Sequence, residues 1–393
     1  MKILFLNHNV IWRSTFYRCF HLGRYLVRRG HAVSLYTIHP SRRRGLEETN
    51  LQGVRVVQFP DLLWGIGRSG WDPWDVWHRL RLARRETYDL VHAFDSRPVV
   101  IHPALALQRR GLPLVMDWAD WWGRGGVIEE RRNPLLKFGF GAIETWYEEH
   151  FRTRANGTTV ISGALRDRAA GLGIDPGTIL RLPGGADIEN FQVRDARAVR
   201  GALGLPEDAR ILGFMGFVHY DLELVLRAFG LIHRRDPSAK LILTGKPSPV
   251  VGRIARELKC ADGILDFGVV PYEKISDYMG CADVFLLPFA RKQANIGRWP
   301  NKVGDYMAMG RPIVSSPVGE MKELFGAEPI GKLAGDNPAD FADAAWELLA
   351  DPEARAAMGR AARQAAEQRY SWEFLAQRLE QFYRSLLGSK FYV

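Results

Sequence analysis

The chain has 393 residues, 47% apolar and 25% charged, which excludes a disordered chain, a collagen-like repeat and a coiled coil and leaves room for two domains. Its net charge of +10 is uneven, because residues 1–195 hold 28 basic and 20 acidic side chains and nine of the twelve Trp. A basic, Trp-rich half suits a phosphate, nucleic-acid or lipid-headgroup partner as well as it suits a solvated Arg-rich surface.

Three scattered cysteines, Cys19, Cys260 and Cys281, lack metal-ligand spacing and fit inert thiols in a reducing cytosol. The N-terminal MKILFLNHNVIW has no signal-peptide h-region or cleavage site, and no apolar run approaches 18 residues. The expectation is a cytoplasmic protein whose membrane contact, if it has one, is peripheral at the inner face.

Taken in chain order, KILFLN (2–7) reads as a strand and 15–29 as a helix ended by Gly30. Strands follow at 31–37, 54–59, 89–94, 112–117 and 158–162, interleaved with helices near 73–86, 98–110 and 134–152. Residues 195–209 are polar and broken and read as a linker. A second alternating series then begins at RILGFMGF (210–217), with strands at 240–245, 264–268, 283–289 and 311–316. Helices at 338–350, 352–368 and 372–387 fill the tail. This alternation predicts two successive doubly wound α/β domains with ligand bound in a cleft between them.

The chemistry concentrates in ANIGRWPNKVGDYMAMGRPIVSS (294–316). Asn301 is placed to cap a helix, so the N–H groups of Lys302, Val303 and Gly304 form an anion site at its positive end. Lys302 opposes the helix dipole unless an anion sits there. Arg298 adds charge, Gly304 leaves room for a phosphate, and Asp305 can accept from both hydroxyls of a ribose. An ordinary capped helix with a surface lysine is the competing reading.

The segment PNKVGDYMAMGRPIVSSPVGEMKEL (300–324) resembles the nucleotide-sugar-binding region of family 4 retaining glycosyltransferases. RRGHAVSLYT (28–37), VISGALRD (160–167), LPGGADIENF (182–191), CADVFLLP (281–288) and SWEFLAQRLEQFY (371–383) are similar to other parts of that family. The resemblance implies the GT-B fold: an acceptor domain over 1–195 with helix 372–393 crossing back, and a donor domain over 205–371. It implies transfer of a sugar from a nucleoside diphosphate to a saccharide or lipid-linked hydroxyl with retained configuration, without metal or other cofactor. Asp305 stands where the family holds the ribose, whereas the family's preceding Glu falls on Gly297. GFVHYDLEL (216–224) lacks the usual Arg and Lys after Gly216, so Arg298, Lys302 and Lys246 are left to hold the diphosphate. A frequent His is replaced by Asp117, the candidate for orienting the acceptor; a helix cap or loop hydrogen-bonder is the other reading of that residue.

DWADWWGRGG (117–126) offers Trp118, Asp120 and Trp121 to a saccharide acceptor, since aromatic faces stack on sugar rings and carboxylates accept from their hydroxyls. Arg18 is a further candidate for an anionic acceptor, with an ordinary exposed arginine as the competing reading. WGIGRSGWDPWDVWHRLRLARR (64–85) mixes four Trp with Arg and reads either as a membrane-interface patch, through Arg79, Arg81, Arg84 and Arg85, or as a core-facing stripe. Two other functions stand beside the transferase. One is a sugar-nucleotide epimerase of the same architecture; the other, disfavoured for want of a recognition motif, is nucleic-acid binding.

Overall fold

The structure is a computed structural model that describes residues 1–63, 70–216 and 219–388, without the side chains of residues 219 and 220. The chain divides into two units. The first comprises Met1–Gly184, Gly297–Trp299 and Trp372–Val393, and the second Gly185–Ile296 and Pro300–Ser371. The division therefore falls between Gly184 and Gly185, ahead of the boundary near 195 expected from polarity. The stretch read as a linker contains a helix, Ala196–Ala202, which Asp195 caps and whose Arg200 is buried. Polarity marks an exposed helix as readily as a linker.

The first unit holds β1 (Lys2–Val10), β2 (Ala32–Ile38), β3 (Glu47–Leu51), β4 (Val54–Phe59), β5 (Leu90–Phe94), β6 (Leu114–Trp118), β7 (Gly157–Val160) and β8 (Ile179–Arg181). They form one sheet in the order β3-β4-β2-β1-β5-β6-β7-β8. All neighbours are parallel except β3, which pairs antiparallel with β4 at the edge. The central strands are buried on both faces, which is why they read as continuous apolar runs. β3, sequence EETNL, escaped the sequence reading because four of its five residues are polar and only Leu51 is apolar. One face of the sheet packs Phe16, Leu22 and Leu26 of helix Thr15–Arg28 against Leu375, Leu379 and Tyr383 of helix Trp372–Leu387. The other face packs Val99, Val100 and Ala104 of helix Pro98–Gln108.

The second unit holds β9 (Ile211–Met215), β10 (Lys240–Thr244), β11 (Ile264–Asp266), β12 (Val284–Leu287), β13 (Ile313–Ser315) and β14 (Gly331–Leu333). Its order is β11-β10-β9-β12-β13-β14, parallel throughout. Strand order thus reverses between β1 and β5 in one sheet and between β9 and β12 in the other. In doubly wound sheets such reversals open a crevice beyond the strands' carboxyl ends, where ligands bind. The three cysteines are free and buried.

Candidate functional site

In the second unit, helix Asn301–Ala308 begins next to the end of β9. Asn301 is its first, exposed residue and does not cap it. Pro300 takes the cap position with an extended backbone, and no side chain caps the turn. A proline offers no side-chain acceptor, so the start of the helix stays uncapped. Val303 N–H donates to Pro300 O (3.1 Å) and is spent inside the turn. The N–H groups of Asn301 and Lys302 come first in the helix and have no intrahelical acceptor.

Lys302 is half-buried, with Nζ 4.6 Å from the centre of the Phe214 ring. Burial lowers its pKa to about 8, opposed by the charge of Asp221. Gly216, which ends β9, has φ +57° and donates its N–H to Thr244 O. A Cβ there would stand 3.7 Å from Lys302 Cε. Asp305 is half-buried one turn in, and burial and the neighbouring Asp187 push its pKa well above the usual carboxylate range. Tyr272 Oη donates to Asp187 at 3.2 Å.

Gly304 has a different duty from the one its sequence suggests. A Cβ at 304 would meet Gly185 O at 2.7 Å, so the glycine lets the helix lie against the 185–186 backbone. Lys246 is exposed after β10. Arg298 belongs to the first unit, where its Nε lies 3.3 Å from Asp120 Oδ1. The loop after Gly216 lies in part outside the described residues, at 217–218.

In the first unit, a pocket of ≈ 320 Å³ opens where strand order reverses. Its walls include His8 and Asn9 from β1, Asp95 and Arg97 after β5, and Asp117, Asp120 and Trp122 at and after β6. His8 Nδ1 lies 3.2 Å from Asp95 Oδ2. Burial and the nearby Arg97 lower the His8 pKa to about 3, so the ring is neutral at physiological pH. Asp95 has φ +98°, a strained conformation for a residue with a side chain. The Arg97 guanidinium lies 5.0 Å from the centre of the Trp122 ring.

Asp117 is buried at this wall with both oxygens engaged. Arg18 donates to them at 3.0 and 2.9 Å, and Thr159 Oγ1 donates at 2.6 Å. Burial would raise its pKa, but Arg18, with His92 and Thr159, holds it below the usual range. Arg18 is not an exposed acceptor contact, since it is itself buried and also donates to Leu182 O and Pro183 O.

Trp118 presents no face to a sugar. It is fully buried, donates to Glu148 Oε1 at 2.7 Å, and has the Arg152 guanidinium 4.3 Å from its ring centre. Trp121 is half-buried and turns its N–H onto Arg124 O. Of the four acceptor candidates, only Asp120 lines the pocket; burial raises its pKa against the pull of Arg298. The sequence reading passed over His8, Asn9, Asp95 and Arg97, while Trp122 lies in the 117–126 loop that it assigned to the acceptor. Their signal was polar residues at the carboxyl ends of apolar strands, NHN (7–9) and DSR (95–97).

Comparison with known proteins places this geometry. The Glycosyltransferase Family 4 profile matches residues 17–190, and the Glycosyl transferases group 1 profile matches residues 209–351. The chain belongs to glycosyltransferase family 4. A D-inositol 3-phosphate glycosyltransferase of Corynebacterium urealyticum is 30% identical over 217 residues, 51% of this chain and 50% of that protein. The chain thus spans about half the length of the curated relatives it matches. A sucrose-phosphate synthase from Thermosynechococcus elongatus superposes with a TM-score of 0.75 at 17% identity, covering 98% of each chain. An Anabaena protein in complex with UDP and glucose superposes at 0.70 with 15% identity, covering 98% of this chain and all of that one. These two structures establish the glycosyltransferase B fold for the family 4 chain.

Proposed function

We propose that this family 4 chain transfers a sugar from a nucleoside diphosphate to a hydroxyl of a saccharide or lipid-linked acceptor, with retained anomeric configuration and without a metal. In this reading it works in the cytoplasm, with peripheral contact at the inner membrane face. The observation that carries the proposal is Lys302: a half-buried cation at an uncapped helix start, where the helix dipole opposes it and an anion would favour it. The second unit holds the donor, with the diphosphate against Lys302 and the first N–H groups and the ribose hydroxyls on Asp305. Support for a uridine nucleotide comes from the Anabaena structure, which is said to contain UDP.

During transfer the bond from sugar C1 to the β-phosphate oxygen breaks and a bond from C1 to the acceptor oxygen forms on the same face. The acceptor proton passes to the departing phosphate oxygen. Charge grows on that phosphate, and fixed N–H dipoles with a lysine stabilise it without reorganising. The acceptor belongs to the first-unit pocket, whose Asn9, Asp120 and Trp122 suit a polyhydroxylated molecule.

The test is NMR of the protein with nucleoside diphosphate sugars, with and without saccharide and lipid-linked acceptors, in the presence of EDTA. The expected result is release of nucleoside diphosphate and a product with the donor's anomeric configuration. An inverted product contradicts retention, and loss of turnover in EDTA contradicts metal independence. Epimerised sugar without transfer identifies an epimerase instead.

A further inference from the structure

A cavity of ≈ 570 Å³ lies wholly within the second unit. Its wall includes Asp283, directly before β12, and Arg311, two residues before β13, which puts it at the amino ends of the strands. Gly216 and Lys302 lie instead by the carboxyl end of β9. The cavity and the proposed donor site therefore occupy opposite edges of one parallel sheet.

One wall is helix Pro352–Gln368. Arg355, Gly359 and Arg363 recur every four residues along it and so share one face. A Cβ at Gly359 would collide with Gly310 O, so the glycine lets this face lie against the turn that ends helix Asn301–Ala308. Arg363 fixes the contact by donating to Ala308 O at 2.7 Å and to Phe191 O at 2.8 Å.

Charge in the lining is out of balance. Five guanidiniums, those of Arg194, Arg311, Arg355, Arg360 and Arg363, face three carboxylates, and each carboxylate is already in use. Asp195 accepts from Arg197 N at 3.0 Å as a helix cap, and Glu367 pairs with Arg363 at 2.6 Å. Asp283 accepts from Ile211 N at 2.8 Å and pairs with the buried Arg200 at 2.9 Å, while Arg355 Nε stays 3.9 Å away. Arg194 pairs with Asp277. Arg311 and Arg355 are anchored on neutral acceptors: the first donates to Ala282 O and Arg194 O, the second to Leu348 O and Leu349 O. Carbonyls hold a guanidinium in place without cancelling its charge. Burial lowers the Arg311 pKa, and the attraction of Asp283 and Asp195 is set against the repulsion of Arg200 and Arg355. Arg360 is exposed on the same wall.

We propose that this cavity binds a phosphate group at Arg311, Arg355 and Arg360, either as the free ion or on a small phosphorylated molecule. Guanidiniums grip phosphate oxygens through paired N–H groups, and forks already anchored on carbonyls lose little freedom in doing so. A phosphate near its dianionic form supplies the negative charge that the lining lacks. The volume is that of a small-molecule site, which commonly spans about 300–1,000 Å³. Tying down backbone carbonyls explains the N–H groups that Arg311 and Arg355 use, but not why two further guanidiniums crowd the carboxylate that Arg200 already neutralises.

Among the described residues, the basic, Trp-rich stretch 64–85 builds no comparable site. Residues 64–69 of that cluster lie outside the described residues. Arg79 is fully buried, pairs with Asp75 and donates to Asn7 O, so it is a core residue rather than part of a membrane-interface patch.

The experiment is phenylglyoxal labelling of the full chain at constant ionic strength, in chloride alone, with inorganic phosphate, or with glycerol phosphate, read at each arginine by mass spectrometry. Phosphate in either form is expected to slow labelling of Arg355 and Arg360 and to leave the exposed Arg85 and Arg132 of the first unit unchanged. The form that protects at lower concentration identifies the source of the phosphate. Lys302→Ala should keep the protection, because that residue belongs to the opposite edge of the sheet. In Arg360→Glu, a change at an exposed position, protection of Arg355 should need at least about tenfold more phosphate, as should protection of Arg360 in Arg355→Gln. The proposal is overturned if Arg355 and Arg360 are not protected, if Arg85 and Arg132 are protected equally, or if Lys302→Ala removes the effect. Protection at wild-type concentrations in both Arg360→Glu and Arg355→Gln overturns it as well.

Discussion

Lys302 shows how one side chain can be both a cost to the fold and a feature of the site. A cation at the positive end of a helix, half out of water, is held partly by the Phe214 ring and partly by the charge of Asp221. Its pKa of about 8 gives a pH signature. A lowered pKa means the charged form is lost on the alkaline side, so diphosphate affinity should be full near pH 7 and fall as pH rises through about 8. The fall approaches tenfold per pH unit if only protonated Lys302 binds. Terminal phosphates are already ionised above about pH 7, their second pKa being near 6, so the titration reports the lysine. Lys302→Arg should flatten the profile in calorimetry between pH 7.5 and 9.5; an unchanged slope in that variant would assign the titration to another group.

At the scale of elements, the Arg18–Asp117 pair joins helix Thr15–Arg28 to the end of β6 and to the 182–183 backbone. Removing Asp117 leaves a buried guanidinium without its counter-charge, which costs about 3–5 kcal/mol. Asp117→Ala should therefore lower urea stability by roughly that amount. A catalytic role alone predicts lost turnover with an unchanged denaturation midpoint. This pair also marks where sequence reading stops. Strand ends and helices such as 338–350 were legible because apolar periodicity and proline starts are local signals. Whether Asp117 faces a ligand or a buried arginine 99 residues away is a tertiary fact that no spacing reveals. Asn301 shows the same limit at short range: Asn before a helix suggests a cap, yet Pro300 claims that position because its fixed φ suits an extended entry.

For the whole molecule, the two sheets repeat one rule: each reverses strand order once, and the candidate donor and acceptor features lie by the reversals. Gly216 and Lys302 lie by the end of β9, and His8, Asp95 and Asp117 line the crevice beyond β1, β5 and β6. That architecture was readable as alternating strands and helices, and the helix at the candidate second-unit site was readable because it follows its motif in sequence. The first-unit pocket was not, because its walls come from residues 8 to 152 and meet only when the strands align. Helix Gly141–Arg152 was readable as a helix, but not that its buried side carries Glu144, Glu148 and Arg152, since periodicity reports two faces without saying which is buried.

The start of helix Asn301–Ala308 is the proposed seat of the donor diphosphate. Calorimetry of nucleoside diphosphate and of inorganic pyrophosphate with wild type, Lys302→Ala and Asp305→Ala tests it most directly. Lys302→Ala should weaken both ligands by about 1.5–3 kcal/mol, the worth of a charge-assisted hydrogen bond. Asp305→Ala should weaken the nucleotide and spare pyrophosphate. Unchanged affinity of both ligands for Lys302→Ala would contradict the donor assignment, and equal losses for both ligands in Asp305→Ala would contradict the ribose contact.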